Sequence, residues 1–203
     1  MQETTATRGP LTAPNTAGLV LGFVNTRATG NGDPERLGDA HALRAWAEEA
    51  VIDLGDWVLS DADAASARDL RQALVTILLA HVDVRESGGA LSEAEQRLRQ
   101  AAALHPLQPV ITADGCEFVS AQQGVPGMFG TIFAAIADIA QRNMWSRMKM
   151  CRNLPCHVGF FDKTRNSSGL YCSPSCSSQV TMRAYRERQK AGQGTPNTST
   201  MKH

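Results

Sequence analysis

Apolar residues along this chain change their spacing several times, and each change predicts an element. Leu19 to Thr26, LVLGFVNT, is a short run of β-branched and aromatic residues, which predicts a strand. A turn-rich segment with Gly30, Gly32 and Pro34 follows,. Asp39 then stands as the N-cap of a helix carrying Leu43, Trp46, Ala47 and Ala50,. A second helix is expected from Ser60 or Asp61, with Leu70, Leu74, Ile77, Leu78 and His81 on one face,. Gly88-Gly89 reads as a break, and Ser92 with Glu95 as a capping box opening a helix through Leu98 to Leu104,. Pro106 and Pro109 close it. Val110–Thr112 and Glu117–Ser120 flank Asp114-Gly115 and predict a hairpin,. Phe129, Ile132, Phe133, Ile136 and Ile139 are spaced for the buried face of a further helix,. Met144 to Met150 bridges into a cysteine-rich segment, and a last helix is expected from just after Cys176 to about Lys190, ended by Gly192, Gly194 and Pro196,.

This order of elements implies an α+β protein. Its expected parts are a mainly helical N-terminal domain with a small antiparallel sheet (residues 17–145) and a small treble-clef-like Cys₄ zinc module ending in a helix (residues 146–190). The polar ends, 1–16 and 191–203, are expected to be disordered. At 42% hydrophobic residues the chain can bury an ordinary core,. No apolar run approaches the roughly 20 residues that span a bilayer, and Met1 to Thr16 lacks the basic and apolar segments of a signal peptide. The chain therefore reads as cytoplasmic, with no membrane partner.

The net charge of zero hides a segregation. Residues 1–141 hold nine Lys/Arg against eighteen Asp/Glu, whereas residues 142–190 hold ten Lys/Arg and only Asp162 and Glu187. A basic segment joined to an acidic domain suggests a polyanion partner, or else electrostatic docking of the two halves on each other.

Four of the five cysteines carry the clearest chemistry. Cys151 and Cys156 form one close pair, Cys172 and Cys176 another, and a short loop joins them. This is the spacing with which four thiolates converge on one tetrahedral zinc. The alternatives are disulfides or unrelated buried thiols, and His157 could substitute for one ligand. Four thiolates leave no open coordination position, so such a zinc builds structure rather than catalysing. Cys116 stands alone and reads as an ordinary strand thiol. Phe160 and Phe161 read as the small module's own core. No Walker loop, dinucleotide-binding glycine pattern or nucleophile-elbow serine occurs, and no catalytic residue is assigned; His81 reads as a packed core residue. At about 100° per residue, Gln179, Arg183, Arg186 and Lys190 share one face of the last helix. A row of cations can hold phosphates and a Gln can reach a base edge; the alternative is a solvated basic helix end. Asn25, Thr26 and Arg27, at the end of the expected strand, are the candidate ligand-binding residues, or else cap its turn.

The stretch from Cys151 to Lys190 resembles the CGNR zinc finger. It has the first cysteine pair, Phe160-Phe161-Asp162, Thr164-Arg165, the second pair and the basic helix. LGFVNTR at 21–27, followed by a helix with Leu43 and Trp46, is similar to the ABATE domain that accompanies such fingers. The resemblance implies a bacterial transcription regulator linked to stress. Its finger would bind double-stranded DNA, and its N-terminal domain would sense a small-molecule effector. Phosphate contacts would then come from Arg152, Lys163, Arg165, Arg183, Arg186, Arg188 and Lys190, with Gln179 at a base. Ser177-Ser178-Gln179 stands where the family has Gly-Asn-Arg after the last cysteine, and Leu170-Tyr171 where it has a basic pair. Two rivals remain open: a protein-interaction module, and an enzyme or small-molecule-binding protein whose zinc is purely structural.

Overall fold

The computed structural model describes residues 13–82 and 88–192. Within them the elements run α1 (Asn15–Val24), α2 (Ala40–Glu49), α3 (Asp61–Ala80), α4 (Gly88–Leu104), β1 (Leu107–Thr112), β2 (Gly115–Ser120), α5 (Gly124–Gln141), a 3₁₀ turn (Trp145–Arg147), β3 (Met148–Met150), β4 (Gly159–Phe161) and α6 (Pro174–Gly192). The protein is mostly helical, with two small antiparallel hairpins, β1-β2 and β3-β4.

The expected strand at Leu19–Thr26 is instead the helix α1. A short apolar run does not by itself distinguish a strand from a buried helix. The buried positions decide it: Ala17, Val20, Phe23 and Val24 follow the helical period. Phe23 packs on Trp46 of α2, with ring centroids 5.1 Å apart. Because α1 begins at Asn15, the expected N-terminal disorder does not extend to Asn15 and Thr16; residues 1–12 lie outside the described residues.

The caps at Asp39 and Ser60 form as expected. Asp39 accepts from the Ala42 backbone N–H, and Ser60 and Asp63 build a reciprocal capping box. Gly88-Gly89 is the first turn of α4 rather than a break, and Ser92 and Glu95 lie inside that helix. Two glycines cost about 1 kcal/mol each there, which packing of α4 along α3 offsets; Leu98 and Ala101 lie against the core. In β1-β2, Thr112 pairs with Gly115 and Pro109 sits opposite Phe118. Each strand of a two-stranded sheet has a free edge, so Pro109 is tolerated. α5 is the one helix among the described residues long and apolar enough to cross a membrane. More than half of it is buried, with Met128 and Ile132 fully enclosed in the core; it is a core helix.

The short β3-β4 hairpin joins this core to the cysteine segment. Met148 pairs with Phe161, Lys149 with Phe160 and Met150 with Gly159. Alternation along a strand sends neighbours to opposite faces. Met148, Met150 and Phe161 accordingly enter the main core beside α1, α3 and α5 residues, while Phe160 packs against the cysteines. The aromatic pair therefore does not form the small module's own core, because only one of the two rings faces it. Asn25, at the C-terminus of α1, clamps the hairpin: its amide donates to the Gly159 carbonyl at 3.0 Å and accepts from the Gly159 N–H at 2.6 Å. A Cβ on Gly159 would stand 2.7 Å from Val24, so only glycine allows this approach.

Candidate metal centre and basic helix

β3 ends at Met150 and delivers Cys151 directly to the site. The turn that follows folds back on itself, with the N–H groups of Cys156 and His157 both donating to the Asn153 carbonyl. His157 adopts a left-handed φ of 43° to close it. The second pair comes from the start of α6. The Ser173 hydroxyl accepts from the Cys176 N–H at 3.3 Å, the bond of a helix N-cap. α6 thus begins at Pro174, two residues before the last cysteine, and Cys176 lies in its first turn rather than ahead of it. A thiolate there faces the positive end of the helix dipole.

The four Sγ atoms lie within 4.8 Å of one another. Cys156 to Cys172 is 3.6 Å and Cys172 to Cys176 is 3.7 Å. Four sulfurs at about 2.3 Å from a zinc ion stand about 3.8 Å apart, so the cluster has the dimensions of one tetrahedral zinc site. Cys151, Cys156 and Cys176 are buried. Hydrogen bonding from Asn153 lowers the Cys176 thiol to about 7 against the opposing effect of burial. Burial and the neighbouring thiols push Cys172 upward, and burial raises Cys156. A zinc ion binds such a set as thiolates. Cys116 is remote from the cluster, on the exposed face of β2.

Two polar networks hold this site, and neither is evident from the cysteine spacing. Asn153, almost fully buried, donates to Gln179 Oε1 at 2.9 Å and accepts from the Arg183 guanidinium, so it fastens the first cysteine turn to α6. On the other side Lys149 leaves the strand opposite the core methionines and meets Asp162 at 2.7 Å, with side-chain exposures of 4% and 1%. The Lys149 ammonium also donates to the carbonyls of Ser167 at 2.6 Å and Gly169 at 3.2 Å. Asp162 accepts from the N–H groups of Thr164 and Gly169. Burial raises its pKa, but the hydrogen bonds from Lys149, Thr164 and Gly169 outweigh it and hold the carboxyl at about 2. Arg147 adds bonds to the carbonyls of Asp162 and Thr164. The loop 162–169 is thereby wrapped on two cations, and a Cβ at Gly169 would strike the Asp162 carboxylate at 2.7 Å. Asp162 is one of two acids in an otherwise basic segment; that isolation is the sequence signal of a structural ion pair.

The predicted basic residues fall into three groups. Lys163 and Arg165 are exposed on the wrapped loop, and Arg152 is exposed on the cysteine turn. Gln179 and Arg183 share the Asn153 bonds, while Arg186 and Lys190 continue the same face of α6. Arg188 lies roughly 140–180° around the helix from those residues at about 100° per residue. A shallow groove of about 400 Å³ runs along the face, bordered by Ser178, Met182, Arg183 and Arg186. Of the candidate ligand residues, Asn25 is bonded to Gly159 as described. Thr26 is fully buried, donating to the Phe23 carbonyl at 2.7 Å and accepting from Arg71 at 2.9 Å. Arg71 in turn forms a two-pronged pair with Glu35. Arg27 is half-buried beside it, its pKa lowered by burial and by the Arg71 charge. Asn25 and Thr26 thus tie α1 to its neighbours. His81 lies half-buried rather than in the core, with Nδ1 2.7 Å from the Met148 carbonyl and its ring edge-on to Trp145.

The molecule is thus a helical domain whose core is continued by a four-cysteine zinc finger, with the last ligand opening a basic helix. Residues 17–142 match the family model ABATE, described as "Putative stress-induced transcription regulator", and residues 147–189 match the CGNR zinc finger. The first match covers more than half of the chain, which therefore belongs to the ABATE family of transcription regulators and carries a CGNR zinc finger. No curated protein matches the chain.

The metal centre makes a direct prediction. Protein purified without chelator is expected to contain one zinc per chain. Changing any one of Cys151, Cys156, Cys172 or Cys176 to Ser should abolish stoichiometric zinc and unfold the segment around it, since a site of this kind contributes on the order of 10 kcal/mol to folding. Cys116→Ser should leave metal content unchanged. Elemental analysis checks both outcomes, and a loss of zinc in Cys116→Ser would remove the four-ligand assignment.

Proposed function

We propose that this protein regulates transcription by binding double-stranded DNA through α6 and the loop 162–169, under the control of its helical domain, which senses a small molecule. The observation that carries the reading is the state of α6. From Thr181 to Lys190 every residue but the half-buried Ala184 is exposed. Beyond its first turns, which pack at the cysteine site, α6 buries no face among the described residues and is free to meet a surface outside the chain,. The segment is strongly cationic, and Met182 and Tyr185 are each 51% exposed among the charges. Arg186 and Lys190 suit phosphates, and the groove beside Ser178 and Met182 suits the edge of a base pair. The zinc site fixes the start of this helix, and the wrapped loop holds Lys163 and Arg165 at the surface for further backbone contacts.

The test is a salt titration of binding to duplex DNA. Arg186→Ala with Lys190→Ala lies clear of the Asn153 network, so zinc content should not change. Binding to all duplexes should weaken roughly a hundredfold, at about 1.5 kcal/mol per charged contact. The salt slope should become shallower by about one for each phosphate that the variant no longer neutralises. An unchanged affinity and slope would exclude α6 as the DNA surface. The exposed Met182 and Tyr185 favour one rival, an acidic protein partner on the same helix; binding that persists at high salt and is lost in Tyr185→Ala would select it.

A further inference from the structure

A cavity of about 340 Å³ opens where the N-terminal end of α3, the C-terminal end of α4 and the start of α5 meet. Its walls are mainly apolar, with Leu70 from α3, Ala101 from α4 and Val125 and Phe129 from α5. The volume lies within the range of small-molecule sites and is far larger than a packing defect. Trp57 forms one side and also borders a second, larger cavity, so its half-exposed ring divides two openings. The ring lies against the backbone of Gly124, which has a left-handed φ of 62°; a Cβ there would stand 2.4 Å from it. Arg44 holds the same loop by donating to the Trp57 carbonyl.

The polar groups at this cavity select a chemistry. The bonds that Asp63 makes to Ser60 all use Oδ2, so Oδ1 is left to accept from elsewhere. His105 packs against Phe129, with centroids 5.0 Å apart, and its Nδ1 stands 3.2 Å from Gln122 Oε1. An amide oxygen only accepts, so Nδ1 is the donor in this contact, and in the neutral imidazole Nε2 is then an acceptor. The Ser66 hydroxyl already donates to the Ala62 carbonyl. Apart from the Trp57 indole N–H, the polar side chains at this site offer acceptors, and a ligand that meets them must bring the donor,. A carboxylate on a domain with twice as many acids as bases favours a cation, and the Trp57 and Phe129 rings favour an aromatic body and a cation near their faces. We propose that this cavity binds a small arylalkylamine, its ring between Trp57 and Phe129 and its ammonium at Asp63 and His105.

The proposal rests on the sensing role given above to the helical domain, but its test contains no DNA, so the two readings fail separately. Calorimetric titration of the zinc-loaded full chain with phenethylamine should give saturable one-to-one binding. Phenylacetate, of the same size and opposite charge, should bind at least tenfold more weakly. Ala101→Phe, which fills the cavity, should weaken phenethylamine binding at least tenfold; if that variant does not fold, Leu104→Trp at the exposed rim replaces it. Asp63→Asn keeps an oxygen for Ser60 and should weaken binding about fivefold or more. The absence of saturable heat up to the solubility limit of phenethylamine overturns the site, as does undiminished binding in the filled variant. Equal binding of phenylacetate, or undiminished binding in Asp63→Asn, overturns the ligand chemistry.

Discussion

Asp162→Ala is expected to be among the most damaging single substitutions outside the cysteines. It leaves the Lys149 ammonium, 4% exposed, without its counter-charge. An uncompensated buried charge costs about 3–5 kcal/mol, and the loop 162–169 is deprived at the same time of the acceptor for two of its N–H groups. Lys149→Met should cost less, because the carboxylate keeps those two backbone donors. The double variant should fall short of the sum of the two losses by about 0.5–3 kcal/mol, the coupling expected of partners in contact. Denaturant unfolding of the zinc-loaded proteins measures all three, and a loss under about 1 kcal/mol for Asp162→Ala, well below the cost of a bare buried charge, would falsify the structural role of the pair. The carboxyl is held below its ordinary 3.8, at about 2. Its contribution is therefore complete above about pH 4 and fades as the pH falls through about 2.

Truncation after Trp145 is the second large effect. Met148 and Met150 are fully buried and Phe161 nearly so, all within the core of the helical domain. Removing three such side chains forfeits about 5–9 kcal/mol of apolar burial, comparable with the entire stability of an ordinary domain. The Asn25 and His81 bonds to β4 and β3 go as well. The truncated chain should retain helical circular dichroism but lack a cooperative thermal transition. Cooperative unfolding near the temperature of the full chain would show that residues 17–145 are self-sufficient, the outcome that composition and charge alone lead one to expect.

The contrast between those two expectations marks what local sequence encodes here. The cysteine site is legible because its four ligands come from two tight pairs whose spacing is itself the signal. The caps at Asp39 and Ser60, the hairpin and α5 are legible because their determinants lie within a turn or a strand of one another. α1 escapes a local reading because LVLGFV, residues 19–24, has no polar residue to reveal its period, and only the packing of Phe23 on Trp46 supplies one. Gly88-Gly89 misleads because a glycine pair in the first turn of a helix looks locally like a break. The partners that steady the zinc site are distant in sequence: Asn153 reaches Arg183, and Asn25 reaches Gly159. No periodicity records such pairs, and a cavity at the junction of three helices leaves no mark on any one of them.

The alternation along β3 has a consequence for heredity. Zinc fingers are commonly thought of as portable cassettes, but here the first strand of the cassette carries Met148 and Met150 outward to fill another unit's interior. A foreign finger joined at residue 146 would bring its own residues to those positions, and the recipient would unfold unless they matched in size and register. Gly30 raises the same barrier from the other side, since a Cβ there would meet the Pro155 backbone at 2.8 Å. Recombination between diverged relatives should therefore be tolerated better when the crossover falls beyond β4, so that the core methionines stay with their own domain and the loop 162–169, the second cysteine pair and α6 are exchanged as one segment. Under the function proposed above, new target preferences would then be acquired by replacing that segment while both halves of the core are inherited together.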